Sequence, residues 1–190
     1  MEAYRQELRA HIADVMPGKE EALVFGEGPA APRLMLIGEA PGEQETLQGR
    51  PFVGKAGKNL DHFLEIAGLC REEIYISNAV KIRPTKVGKT GRLSNRPPTK
   101  AEIECFRPWL MREIALVKPA IIATLGNVPL QAVTGKNVTI GQMHGRLSEA
   151  GETGLALFAL YHPASLIYNR SLTDVYEQDV RTLADVLRSL

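Results

Sequence analysis

Four residues in this chain carry chemistry suited to a site, and they lie far apart: Glu39, Phe52, Asn78 and His162. Glu39 offers a carboxylate. Asn78 offers a carboxamide with both a donor and an acceptor, and His162 an imidazole that titrates near neutral pH. Phe52 offers a flat apolar face that can stack on a ring. A carboxamide can read an edge bearing one carbonyl and one N–H, so together they describe a pocket for a planar polar ring. Singly they mean little, because an asparagine after a strand is commonly a turn residue and a histidine before proline is commonly an ordinary loop residue.

The elements around them give the set its meaning. Leu34-Met35-Leu36-Ile37 reads as a buried strand that stops at Gly38, over about 33–38. Ile74-Tyr75-Ile76-Ser77 runs into Asn78. Ala120 to Leu125 ends at Gly126-Asn127, and Leu155 to Tyr161 ends at His162-Pro163. Between the strands lie helical patterns: Tyr4, Leu8, Ile12 and Val15; Leu60, Phe63, Leu64 and Ala67, closed by Gly68; Ile103, Phe106, Leu110 and Ile114 behind a Thr99–Glu102 capping box; Val128 to Val133; and a stripe from Leu172 to Leu187. Pro108 should bend or restart the helix that the Thr99–Glu102 box opens. Residues 16–32 read as a connector, and 136–154 as loop with a short strand near 145–147. The expected fold is α/β, three layers (α/β/α) around a central, mostly parallel four-stranded sheet. Ligands bind such sheets at the carboxyl ends of the strands, where three strands deliver Glu39, Asn78 and His162. In the first of these loops Pro41 fixes its own φ and Gly42 permits a tight turn, so Glu39 and Glu45 sit on a rigid segment.

Length and composition fit one domain over residues 1–190, with 1–22 as an N-terminal helix and connector. No apolar run approaches the ~18 residues of a membrane span. No signal-peptide pattern opens the chain, so a cytoplasmic, membrane-free protein is expected. Cys70 and Cys105 are the two cysteines, too few for a disulfide framework or a four-cysteine metal site. Net charge is only +1, but its distribution is uneven: Lys81, Arg83, Lys86, Lys89, Arg92, Arg96 and Lys100 occupy a stretch with no acidic residue. A basic loop beside a site suits phosphate-backbone contact.

Several motifs, in order, resemble the uracil-DNA glycosylase superfamily, with the family-four type as the nearest pattern. They are Gly38-Glu39-Ala40-Pro41-Gly42, Gly49-Arg50-Pro51-Phe52-Val53-Gly54, Asn78-Ala79-Val80-Lys81 and His162-Pro163-Ala164-Ser165-Leu166. Val24-Phe25-Gly26-Glu27-Gly28 and Cys105-Phe106-Arg107-Pro108-Trp109-Leu110 echo it more faintly. The resemblance implies an enzyme that flips uracil out of DNA and hydrolyses its N-glycosidic bond. It implies that Asn78 reads uracil O4 and N3–H, that Phe52 stacks under the ring, and that His162 donates to O2. Glu39 would position or activate water, or balance a cationic sugar. Gly38 and Ala40 would contact the base, and Glu45 would exclude the thymine methyl. Leu166 would fill the vacated stack, with Lys81, Arg83, Pro163, Ser165 and Arg170 holding the DNA strand. The partner would be uracil-containing DNA and the chain a monomer.

One departure stands out. The family-four pattern carries four cysteines for an iron–sulfur cluster, yet residues 1–23 hold none, Ile82 occupies the third position, and only Cys105 remains. No cofactor is therefore expected, with apolar packing around Ile82, Phe106 and the N-terminal helix in its place. Two other readings share the same residues: excision of another deaminated base such as hypoxanthine or xanthine, and a non-catalytic module that binds uracil DNA.

Overall fold

The computed structural model describes residues 1–88 and 91–190; Lys89 of the basic stretch lies outside the described residues. The chain runs α1 (Glu2–Val15), β1 (Leu34–Gly38), α2 (Glu43–Gln48), α3 (Lys55–Ala67), β2 (Ile74–Asn78), β3 (Thr85–Val87), β4 (Leu93–Asn95), α4 (Lys100–Val117), β5 (Ile121–Leu125), α5 (Asn127–Thr134), α6 (Ile140–Met143), β6 (Leu147–Glu149), β7 (Ala156–Leu160), α7 (Ala164–Tyr168) and α8 (Thr173–Arg188), with short 3-10 turns between.

The central sheet has the order β2-β1-β5-β7-β6. Its first four strands are parallel, and β6 adds an antiparallel edge against β7. Five strands thus replace the expected four, because the short strand anticipated near 145–147 forms at Leu147–Glu149 and joins the sheet. Side chains alternate across the sheet. Leu34 and Leu36 face one side, with Leu60 and Phe63 of α3 and Val180 and Leu183 of α8. Met35 and Ile37 face the other, with Leu110 and Ile114 of α4 and Leu130 and Val133 of α5. Near-continuous apolar strands are what a sheet covered on both faces requires.

Two expectations change. The long loop before residue 98 contains a two-stranded antiparallel hairpin, β3–β4, in the register Thr85↔Asn95, Lys86↔Ser94 and Val87↔Leu93. Pro108 does not restart its helix: α4 continues from Lys100 to Val117, because Phe106, Leu110, Ile114 and Val117 hold both halves against the core. The proline forfeits one backbone bond, a cost that this burial offsets.

The outer edge of β2 is not bare. Glu27 and Ile76 exchange both backbone hydrogen bonds, at 3.0 and 2.8 Å, and the Val24 N–H donates to the Lys81 carbonyl. Gly26 permits this close passage, since a β-carbon there would lie 2.5 Å from Glu113 Oε1 and 2.6 Å from the Tyr75 ring. Helix α1 closes a third, smaller core: Tyr4, Leu8 and Ile12 pack with Leu23, Val80, Ile82 and Phe106.

Candidate active site

The strand ends meet at a cavity of about 590 Å³. Glu39, Ala40, Gly42 and Glu45 line it from the first loop, Phe52 and Gly54 from its continuation, Asn78 from β2 and His162 from the end of β7. The set predicted from sequence therefore does converge. Arg83, Leu93, Ser94 and Asn95 supply the remaining wall; Asn95 opens Asn95-Arg96-Pro97-Pro98-Thr99, another faint echo of the family pattern, whereas Leu93 and Ser94 have no sequence pattern that would have marked them.

Asn78 pairs with Gly38 across the β1–β2 ladder. The ladder continues past the strands, with the Ala79 N–H donating to the Gly38 carbonyl and the Val80 N–H to the Glu39 carbonyl. Asn78 is buried, yet no side-chain hydrogen bond to it is found among the described residues. A buried carboxamide with unused donor and acceptor, facing a cavity, is matched to a ligand rather than to the fold. Gly38 makes its position possible: a β-carbon there would lie 2.5 Å from Asn78 Oδ1 and 2.6 Å from Phe52 Cζ.

Phe52 is buried with φ of 55°, a left-handed backbone that a bulky residue resists. It is fixed from both directions. Arg71 donates to the Pro51 carbonyl at 2.6 Å and to the Phe52 carbonyl at 3.0 Å, and is itself paired with Glu27. Glu45 accepts from the amides of Val53 at 3.1 Å and Gly54 at 2.7 Å, and with its other oxygen from Gly42 at 3.1 Å. The Glu45 carboxylate thus ties the two halves of the loop together through backbone amides while lining the cavity.

Glu39 is half-buried, and burial raises its carboxyl above the ordinary range. His162 is held below the usual imidazole range by the same cause. Its Nδ1 accepts from the Ala164 amide at 3.1 Å. That contact requires Nδ1 to be unprotonated, so the neutral ring carries its proton on Nε2. The arrangement presents an N–H donor, not a charged imidazolium.

The residues assigned to DNA fare unevenly. Lys81 is corrected: its side chain is wholly buried and cannot reach a phosphate. Its ammonium donates to Glu113 Oε2 at 2.5 Å, Ser77 Oγ at 2.6 Å and the Asn78 carbonyl at 2.7 Å, which uses all three of its N–H bonds. Glu113 also accepts from Ser77 at 2.8 Å and Tyr75 at 3.1 Å. A buried pair survives only when its donors and acceptors are satisfied in this way. Arg83 stands in the cavity wall, shared between Asn95 at 2.7 Å and Glu43 at 3.0 Å. Pro163, Leu166 and Arg170 border a second hollow of about 310 Å³ with Asn59 and Tyr176. Leu166 is partly buried against the α3–α8 core, whereas Tyr168, on the same short helix, is 89% exposed. Ser165 is half-buried, its amide bonded to the His162 carbonyl, and Arg170 is exposed.

At the position where the resemblance implies an iron–sulfur cluster, Ile82 is buried among Tyr4, Leu8, Ile12 and Phe106. Cys105 lies beside His11, Sγ to Nε2 3.9 Å, and burial raises its thiol. Cys70 is exposed, outside this core. No group of three or more His, Cys, Asp or Glu suited to a metal ion occurs among the described residues. No helix among them is long and apolar enough to cross a membrane.

Comparison with known proteins places these features in context. Residues 25–186 match the family model described as the uracil DNA glycosylase superfamily. The chain is 39% identical over 173 residues to a type-4 uracil-DNA glycosylase of Saccharolobus solfataricus, covering 87% of this chain and 76% of that protein. It is 37% identical to the type-4 uracil-DNA glycosylase of Sulfurisphaera tokodaii, over 86% of this chain and 74% of the other. A third, from Archaeoglobus fulgidus, is 34% identical over 86% of this chain and 81% of the other.

Proposed function

The chain belongs to the uracil DNA glycosylase superfamily, and from that membership and the cavity together we propose that it excises uracil from DNA as a repair hydrolase of the type-4 kind. The observation that carries the reading is the buried Asn78 carboxamide, without a side-chain partner among the described residues, lining the same cavity as a histidine whose proton sits on Nε2.

Uracil, extruded from the stack, enters edge-first. Asn78 donates to O4 and accepts from N3–H. Cytosine offers an amino group and a bare N3 there, leaving buried groups mispaired, which is costly. Phe52, locked by Arg71 and Glu45, stacks on the ring face. As the C1′–N1 bond breaks, its electron pair moves onto the base, and His162 Nε2–H donates to the oxygen where that charge collects. A neutral donor fixed in advance suits this task. Water adds to C1′ and its proton passes to the Glu39 carboxylate, which also faces the developing sugar cation. The base leaves as the uracil anion and takes up a proton from solvent, to which Glu39 gives up the one it accepted, so the products are free uracil and an abasic site. Pro163, Ser165, Leu166 and Arg170 face the DNA strand in this reading, with Arg83 at the rim.

The residues present do not fit an iron–sulfur cluster. One raised, half-buried thiol stands where four thiolates are needed, and no step is routed through such a group. We read the Tyr4–Ile82–Phe106 core as taking over its structural part.

The test is alkaline cleavage of a uracil-containing duplex on a gel. The wild type should convert the strand to alkali-labile product. His162→Ala should lose about 10²–10³ in the rate of the chemical step, the range for removing one preorganised donor. Normal turnover by the folded variant would remove His162 from the mechanism.

A further inference from the structure

The hairpin β3–β4 has no part in the chemistry above, yet it forms one wall of the cavity through Leu93, Ser94 and Asn95. An isolated two-stranded ribbon is marginal in water, and this one is fastened at its base. Arg96 donates to the Thr85 carbonyl and pairs through both guanidinium nitrogens with Glu102, while Arg83 joins Asn95 to Glu43. Its far end carries an apolar pair in solvent: Val87 is 71% and Leu93 58% exposed. They are direct partners in the ladder, so their side chains share one face of the ribbon. Lys86 and Arg92, next to them in sequence, are exposed and have no acidic partner among the described residues. The stretch 81–100 contains seven basic residues and no acidic one.

We propose that the Val87–Leu93 pair is a DNA contact, packing on a base next to the extruded nucleotide while Lys86 and Arg92 meet the flanking phosphates. The inference rests on the uracil reading for its register at the cavity mouth. A partner must combine negative charge with flat apolar faces at close spacing, and nucleic acid does so. Apolar side chains inserted beside a base step are an established way to hold DNA distorted. Leu93 lines the same cavity as Asn78 and His162, so bases neighbouring an extruded uracil would pass within its reach.

The test uses Val87→Thr, which keeps a β-branched strand former on an exposed face, lies outside the cavity lining, and should leave the melting temperature unchanged. Affinity is measured for an oligonucleotide carrying uncleavable 2′-fluoro-deoxyuridine, for its undamaged counterpart, and for free uracil. The expected result is about tenfold weaker binding of the fluorouridine strand, the scale of one lost base contact, with free-uracil affinity unchanged. DNA affinity within twofold of wild type overturns the proposal. So does an equal loss for free uracil, which would mean that Val87 acts through the cavity. Should the wild type not distinguish the fluorouridine strand from undamaged DNA, the uracil reading fails by itself. The pair is then judged on undamaged DNA, where a tenfold loss sustains the contact and no loss removes it.

Discussion

Beneath the cavity, Lys81 and Glu113 are wholly buried and every N–H of the ammonium is engaged; at its mouth, a few residues further along the chain, Val87 and Leu93 stand in solvent. The floor is made of groups whose partners lie within the protein. Glu45 and Arg71 hold Phe52, and Lys81 holds the carbonyl of Asn78. At the rim, Val87 and Leu93 are exposed, and Lys86 and Arg92 have no acidic partner among the described residues. The two regions divide the work. Reading a base needs geometry settled before it arrives, whereas gripping a flexible strand is left to exposed apolar and cationic side chains.

The largest loss is expected at the deepest point of the floor. Lys81→Met should destabilise the fold by about 3–5 kcal/mol in urea, because Glu113 is left as a buried, uncompensated charge. Lys81→Met with Glu113→Leu should recover most of that loss. If the single variant costs no more than a surface change, the floor is not preorganised as described. Arg71→Ala comes next, at about 1–3 kcal/mol, since it frees the carbonyls that keep Phe52 in a left-handed backbone. Its distinguishing readout is a raised KM for uracil DNA with the melting transition still cooperative, and Arg71→Lys should rescue poorly because one ammonium cannot span both carbonyls in the same fork.

Glu39 makes the cavity sensitive to pH. Burial raises its folded-state carboxyl above the usual 4.5, so the folded protein binds that proton more tightly than the unfolded chain. Its ionised form therefore costs stability above this raised value, and the cost vanishes below about 4.5, where both states are protonated. Glu39→Gln should raise the melting temperature at pH 7, with no gain at pH 4, while losing activity. In the wild type, kcat/KM should fall on the acid side at a pH above 4.5, where the carboxylate is lost. His162, held below 6.5, stays neutral across the neutral range. No stabilisation of the Gln variant at pH 7 would contradict a desolvated Glu39.

The fold was largely legible because its signals are local. Leu34–Ile37 and Ile121–Leu125 are apolar runs, and the residues that follow strands declare themselves by type: Glu39, Asn78 and His162. The rest depended on distance or direction. A lysine after a strand reads the same whether solvated or folded back, and the partner of Lys81 lies 32 residues away on α4. Arg71 sits in a 3-10 turn with no pattern to mark it. Thr85–Val87 and Leu93–Asn95 are too short and polar to show alternation, so pairing alone reveals the hairpin. One clue was available and bears on Glu45: it stands three residues after Gly42, the spacing of a capping box, and it does cap α2.

The central claim, that an unpaired Asn78 in a preformed cavity reads uracil, is tested most directly by single-turnover base release from matched duplexes containing uracil or cytosine, with wild type and Asn78→Ala. The wild type should release uracil at least about 10⁴ times faster than cytosine, as a hydrogen-bonding site rejects a base that leaves its groups unpaired, and Asn78→Ala should forfeit most of that ratio by slowing uracil release. Equal rates for the two bases, or an undiminished ratio in the variant, would contradict it.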